Sequence, residues 1–337
     1  MPLPTESIKT DAVSLRACEF FSGIGAFSEA LQLSFAEKVS VIQAFDQSAW
    51  ANQVYFLNHG LAPDKRSLAT IKPAFIAKEA SLWWLSPPCT PFSRRGQKKD
   101  LEDERAQPFL HLLSLLPSLR PTYVFIENVI GLEGSRMEDH LRTVFADNNY
   151  ALGSIKICPS QFGVPMLRPR LFYLAIDALT DEPSSRRLQD GSFFLPIEDF
   201  RVSEEKRRLS AYLLSEAEAK LSPRLSQEEF ERYESVLNVL NVLDVLDGKD
   251  QMARAICFTS GYFRCRKAAG SMLRDEMGVR YFHPREILAL LGFSPRFVLP
   301  QDLSAKVVYK LLGNSVDVRS IVYLLQSLFG AGHASVR

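Results

Sequence analysis

Residues 19–27 read "EFFSGIGAF": an apolar run stops at two glycines one residue apart, and apolar residues then resume at helical spacing. A strand running into Gly23 and Gly25 and then into a helix brings small residues to the positive end of that helix. Backbone N–H groups are exposed there to an approaching ligand. Twenty-one residues past Gly25 the next apolar run, "VIQAFD", closes on Asp46, an acid well placed to hydrogen-bond the two hydroxyls of a ribose. A tight turn followed by a helix-capping aspartate is the alternative that these residues leave open.

Outward from this unit, "ACEFF", "VSVIQAFD", "SLWWLS", "YVFIEN", "SIKIC" and "RLFYLAI" are strands too uniformly apolar for a sheet with one wet face. Helix-like segments lie between several of them, so the first half predicts a doubly wound α/β sheet covered on both sides. The alternation stops near residue 178. From Thr180 to about Lys249 the chain is polar and helix-prone, with the small repeat "VLNVLNVLDVLDG". The spacing of Val236, Leu237, Leu240, Leu243 and Leu246 predicts a packing helix that ends at Gly248. Helical patterns return in "HPREILALLGF" and "KVVYKLLGNSVDVRSIVYLLQSLF", and a second, smaller domain is expected over roughly 180–300.

Composition narrows the class. With 337 residues, 46% hydrophobic and 23% charged, the chain has the makeup of a globular protein. No segment is long and apolar enough to span a membrane and no signal-peptide core opens the sequence, which places the protein in the cytoplasm, unanchored. Five scattered cysteines without a CxxC or a nearby histidine pair argue against a disulfide framework or a metal site. A net charge of +1 means that any nucleic-acid binding must come from local charge.

Three further pieces carry chemistry. In "LWWLSPPCTPFSRRGQKKD", residues 82–100, Pro87, Pro88 and Pro91 stiffen the loop around Cys89 at the end of a strand, where ligands bind in parallel sheets. Cys89 is a candidate nucleophile, or else an inert thiol. "YVFIENVIGL" ends its strand in Glu127 and Asn128. A carboxylate after four apolar residues is costly to desolvate, which suits a proton donor or a structural hydrogen bond. "QFGVPMLRPRLFYLA" sends Arg168 and Arg170 outward on alternate positions, two forks suited to an anion or a base carbonyl, or to a surface ion pair.

Taken in order, these pieces resemble the cytosine-5 methyltransferases, whose last motif is matched by "KLLGNSV" near the carboxyl end. "CFTSGY", followed by "GSML" and "RYFHPREILALLGF", resembles the DNA methyltransferase 2 branch, which methylates a cytosine in the anticodon loop of aspartate tRNA. The resemblance implies a Rossmann-like S-adenosylmethionine-dependent methyltransferase sheet with a smaller target-recognition domain. It divides the chain into an extension (1–14), a catalytic domain (15–178), a target domain (179–300) and a returning segment (301–330). It implies that S-adenosyl-L-methionine lies on Gly23, Ile24, Gly25, Ala26, Asp46, Leu68, Ala69, Ser86 and Asn314. Cys89 would add to C6 of the base, Glu127 would serve N3 and the exocyclic amine, and Arg170, with Arg168 beside it, would hold O2. Arg94, Arg95, Asn128, Cys257, Phe258, Thr259, Arg264, Arg266 and Lys267 are the implied contacts to the nucleic acid of a monomeric, metal-free enzyme.

Between Arg254 and Arg285 seven cations stand against Asp275 and Glu276, a local excess of five, which phosphates would meet as a basic face. The sequence departs from the family pattern at Thr90, at Ala26, at Met166-Leu167 and at Lys267. None of these removes a group needed to make bonds. Three outcomes stay open: a tRNA methyltransferase, for which DNA is at most a weak partner; a DNA cytosine-5 methyltransferase on the same catalytic core; and a catalytically silent nucleic-acid-binding protein of the same fold.

Overall fold

The computed structural model describes residues 15–35, 38–92, 100–229, 231, 244–264 and 269–329. All six expected strands are present: β1 (Leu15–Phe20), β2 (Val39–Phe45), β3 (Leu82–Leu85), β4 (Tyr123–Asn128), β5 (Tyr150–Ile157) and, after the two-residue β6 (Met166–Leu167), β7 (Arg170–Asp177). They form one sheet in the order β2-β1-β3-β4-β7-β5. The first four are mutually parallel, and β7 inserts antiparallel between β4 and β5.

Side chains alternate between the two faces of this sheet, and both faces are dry. Ala17, Leu82, Trp84 and Phe125 enter one core, whereas Cys18, Phe20, Trp83, Leu85, Val124 and Ile126 enter the other. That is why the strands read as unbroken apolar runs. Every parallel strand ends on the same edge, and β7, running the other way, begins there: Asn128 pairs with Leu171 and Ile157 with Arg170. The topology therefore gathers at one edge the residues that follow β1, β2, β3 and β4 and those that precede β7.

Beyond Asp177 the chain builds a second, three-stranded sheet in the order β11-β10-β8, from β8 (Asp244–Asp247), β10 (Ser271–Asp275) and β11 (Gly278–Tyr281). The expected packing helix is corrected here. Residues 244–247 of the repeat are extended and pair in parallel with β10, because Val245 and Leu246 find partners in a sheet that no local pattern announces. Val236, Leu237, Leu240 and Leu243 lie outside the described residues. A short strand β9 (Ala255–Ile256) joins β6 in parallel, tying this region to the approach to β7. The helices Pro284–Leu290, Ala305–Asn314 and Val318–Phe329 follow as expected, and the last packs on the helix Ala26–Ser34 that follows β1. None of the described helices is long and apolar enough to cross a membrane.

Candidate active site

The turn after β1 has the backbone that its glycines allow, with φ of 54° at Gly23 and 88° at Gly25. Asp46 closes it from the end of β2: one carboxylate oxygen accepts from Gly23 N–H at 2.9 Å and the other from Ser48 N–H at 2.7 Å. Burial pushes this carboxyl upward and the two N–H donors pull it back. Each oxygen keeps a lone pair for a diol. A Cβ built on Gly23 would meet nothing within 4 Å, so the turn has room for a ligand there. Ile24 and Ala26 are buried and offer backbone only, as does Leu68 on the loop that follows the Phe45–Asp64 bridge. Ala69 is half-buried beside it, and Asn314 is exposed at the end of its helix.

Beneath the turn lies a group that the motifs did not announce. Glu19 is 1% exposed and accepts hydrogen bonds from Ser28 Oγ at 2.7 Å and Tyr55 Oη at 2.8 Å. Desolvation pushes its carboxyl up to about 8 against those two bonds. His59, one turn on from Tyr55, packs edge-on against it and sits where a side chain on Gly25 would go. The available signal was the carboxylate within "ACEFF", a costly residue in an apolar strand.

At the next strand ends, Cys89 opens to solvent from the proline loop. Asn128 is buried, and its amide donates to Pro87 O at 3.0 Å while its carbonyl accepts from Val129 N–H. It thus shapes the cysteine loop, rather than facing the substrate as expected. Gly131 abuts the carbonyl of Phe92, which leaves no space for a side chain. Ser86 Oγ accepts from Trp84 Nε1 at 3.0 Å and also hydrogen-bonds Glu127. Glu127 pairs with Arg170, Nε to Oε1 at 3.1 Å, and both side chains are largely buried. Burial pushes Glu127 up, and Arg170 and then Arg168 oppose it without cancelling it. Cys89 is likewise pushed up by the crowding of protein around it, with Arg170 the largest opposing charge. Burial thus favours the thiol at Cys89, and Arg170 draws it toward the thiolate.

Arg168 corrects the expectation of two outward forks. It is 2% exposed and turns inward onto Phe258 O at 2.6 Å, Cys257 Sγ at 3.1 Å, Gly313 O at 3.0 Å and Ser315 O. Cys257 is half-buried between the two arginines, which hold its thiol below the usual range although burial opposes them. Phe258, expected at the substrate, is core, edge-on to Tyr262 and Phe282. Thr259 is half-buried and bonds within its own loop. On the basic face Arg254, Arg264, Arg274 and Arg285 are exposed. Arg280 is not part of that face, being buried on Glu286 at 2.8 Å. Arg94, Arg95, Arg266 and Lys267 lie outside the described residues.

Comparison with known proteins meets this geometry. The family model for "C-5 cytosine-specific DNA methylase" matches residues 15–330. The chain belongs to that family. It is 32% identical to the tRNA (cytosine(38)-C(5))-methyltransferase of Schizosaccharomyces pombe, over 93% of this chain and 96% of the relative. It is also 28% identical to a DNA (cytosine-5)-methyltransferase of Dictyostelium discoideum, over 93% and 94%. The crystal structure of S. pombe Dnmt2 methyltransferase superposes with a TM-score of 0.74 at 32% identity, covering 93% of this chain and 98% of that one. The protein is thus an enzyme of the C5-methyltransferase family, and the family's use of S-adenosylmethionine fits the open Gly23 turn, the remaining lone pairs of Asp46 and the exposed Asn314. Among the described residues no group of three histidine, cysteine, aspartate or glutamate side chains could hold a metal ion.

Proposed function

We propose that the protein methylates C5 of a cytosine in the anticodon loop of a tRNA, aspartate tRNA being the substrate that the family resemblance implies. The observation that carries this is the similarity to the fission-yeast tRNA methyltransferase, 32% identical over 93% of this chain and 96% of the relative, against 28% for the Dictyostelium DNA methyltransferase. A second sheet of three short strands supports it. Extruding a paired base costs a few kcal/mol and calls for protein to fill the gap, whereas a loop base is unstacked cheaply.

The site residues have complementary roles. Cys89 opens to solvent, gives up its proton to water, and its sulfur adds to C6. The ring electrons move toward C5 as Glu127 donates a proton to N3, and Arg170 holds O2. The Gly23–Ala26 turn, Asp46 and Asn314 would hold S-adenosylmethionine, whose sulfonium would supply the methyl group and keep the electrons of the broken S–C bond as a neutral thioether. With C5 methylated, a base removes the C5 proton, the C5–C6 double bond re-forms, the Cys89 sulfur departs as thiolate and N3 returns its proton to Glu127. Arg254, Arg264, Arg274 and Arg285 meet phosphates.

The test is single-turnover methylation of full-length aspartate tRNA transcript and of duplex DNA at matched salt. The tRNA should react at least about 100-fold faster, equivalent to roughly the few kcal/mol that duplex extrusion costs. Equal rates would move the assignment to DNA, the reading that the Dictyostelium relative represents.

A further inference from the structure

We infer that Arg168 is a positioning residue: its guanidinium fastens the segment Cys257–Thr259 to the turn Gly313–Ser315 and so sets the cofactor side and the target side of the pocket against each other. Resting on the site assignments proposed above, this goes beyond them in giving the two arginines separate work.

The donor inventory is the first ground. The two terminal nitrogens of a guanidinium carry four N–H bonds, and Arg168 has four acceptors around them: Phe258 O and Cys257 Sγ on Nη1, Gly313 O and Ser315 O on Nη2. Its Nε is buried without a partner. No terminal N–H remains for a base carbonyl. Arg170, two residues on, is the arginine paired with Glu127, and its contact with Cys257 is a loose 3.8 Å.

Backbone packing at the same point is the second ground. A Cβ on Gly313 would run into the backbone of Thr259 and Ser260, so the two segments already touch main chain to main chain. The carbonyls that Arg168 holds are those of Gly313 and Ser315, which flank Asn314, the exposed residue assigned to the cofactor. Its other nitrogen holds the segment that carries Cys257, which borders Arg170. One buried cation thus spans partners 89 to 147 positions away in sequence.

The experiment measures S-adenosylmethionine affinity by calorimetry and the single-turnover rate on tRNA at saturating cofactor, for Arg168→Lys, Gly313→Ala and the double variant. A lysine keeps the charge but has three donors on one nitrogen and cannot fork to both segments. The Gly313→Ala variant pushes the segments apart from the opposite side. Each should weaken cofactor binding about tenfold or more and slow transfer, as expected for lost hydrogen bonds to a charged donor. Because both break one joint, the double variant should be little worse than the poorer single one. Arg170→Lys should slow transfer while leaving cofactor affinity in place.

Unchanged cofactor affinity in Arg168→Lys with a slowed rate would place Arg168 at the base and overturn the inference, and so would additive losses in the double variant. Should Arg168→Lys fail to fold, Gly313→Ala decides alone, and wild-type affinity in it refutes the joint. Cofactor affinity is read without RNA, so a wild-type enzyme that ignored tRNA would defeat the proposed substrate and leave this test intact.

Discussion

Glu19→Gln should change the pH dependence of stability more than any other single substitution near the cofactor turn. Glu19 is 1% exposed and pushed up to about 8, chiefly by desolvation, with Ser28 and Tyr55 opposing and Asp46 adding to the rise. In the unfolded chain it ionises near its ordinary value of about 4.5. Between those values the unfolded state releases a proton that the native state keeps, so native stability is complete below about 4.5 and is lost as pH rises toward about 8. At about 1.4 kcal/mol per pH unit the full loss from this one group is roughly 5 kcal/mol. Glutamine retains a carbonyl for the Ser28 and Tyr55 hydroxyls and does not titrate. Urea unfolding of both proteins at pH 5 through 9 isolates the effect, since all other groups cancel in the difference. The variant should gain on the wild type by about 3 to 5 kcal/mol across that range. A difference that does not vary with pH would mean that Glu19 is ionised in the native state, and the desolvation argument would fail.

Two further outcomes are expected. Cys89→Ala should lower methyl transfer by more than about 100-fold, equivalent to roughly 2.7 kcal/mol, while calorimetric cofactor binding and urea unfolding stay near wild type, because the residue is solvent-exposed and outside both hydrophobic cores. Asp46→Ala should weaken S-adenosylmethionine by about 1.5 to 3 kcal/mol, with Asp46→Asn intermediate because one oxygen remains for Gly23 N–H. Calorimetric affinity equal to wild type in Asp46→Ala would remove this residue from the cofactor site.

The sheet was legible because its physics is local. A strand buried on both faces must be apolar at every position, so six runs such as "SLWWLS" and "RLFYLAI" announced themselves, and the Gly23 turn marked the edge where ligands approach. The repeat "VLNVLNVLDVLDG" failed for the complementary reason. Its spacing favours a helix considered alone, but residues 244–247 gain hydrogen bonds and apolar cover from Ser271–Asp275, and such non-local pairing has no signature in a short window. Arg168 and Arg170 looked equivalent by the same limitation, since only the fold returns Phe258, Gly313 and Ser315 to one of them. Asn128 and Phe258, next to proposed site residues in sequence, were carried along by adjacency, whereas in space one shapes the cysteine loop and the other fills the core.

What the fold adds to the motifs is a coupling between Glu127 and Cys89, the proposed acid and nucleophile. Arg170 is the largest charge opposing the rise of both Glu127 and Cys89, and an ionised Glu127 is itself one of the groups holding the Cys89 thiol up. A carboxylate at Glu127 shares the field of Arg170 with the sulfur and repels it. Once Glu127 takes a proton, that repulsion ends and the guanidinium acts on Cys89 alone, in a cleft where burial strengthens every charge interaction. In the proposed mechanism the protonation state that would let Glu127 donate to N3 is therefore also the one that favours the thiolate. On that proposal the two groups would reach their working forms together, because one arginine, fixed at the start of an antiparallel strand, opposes the rise of both.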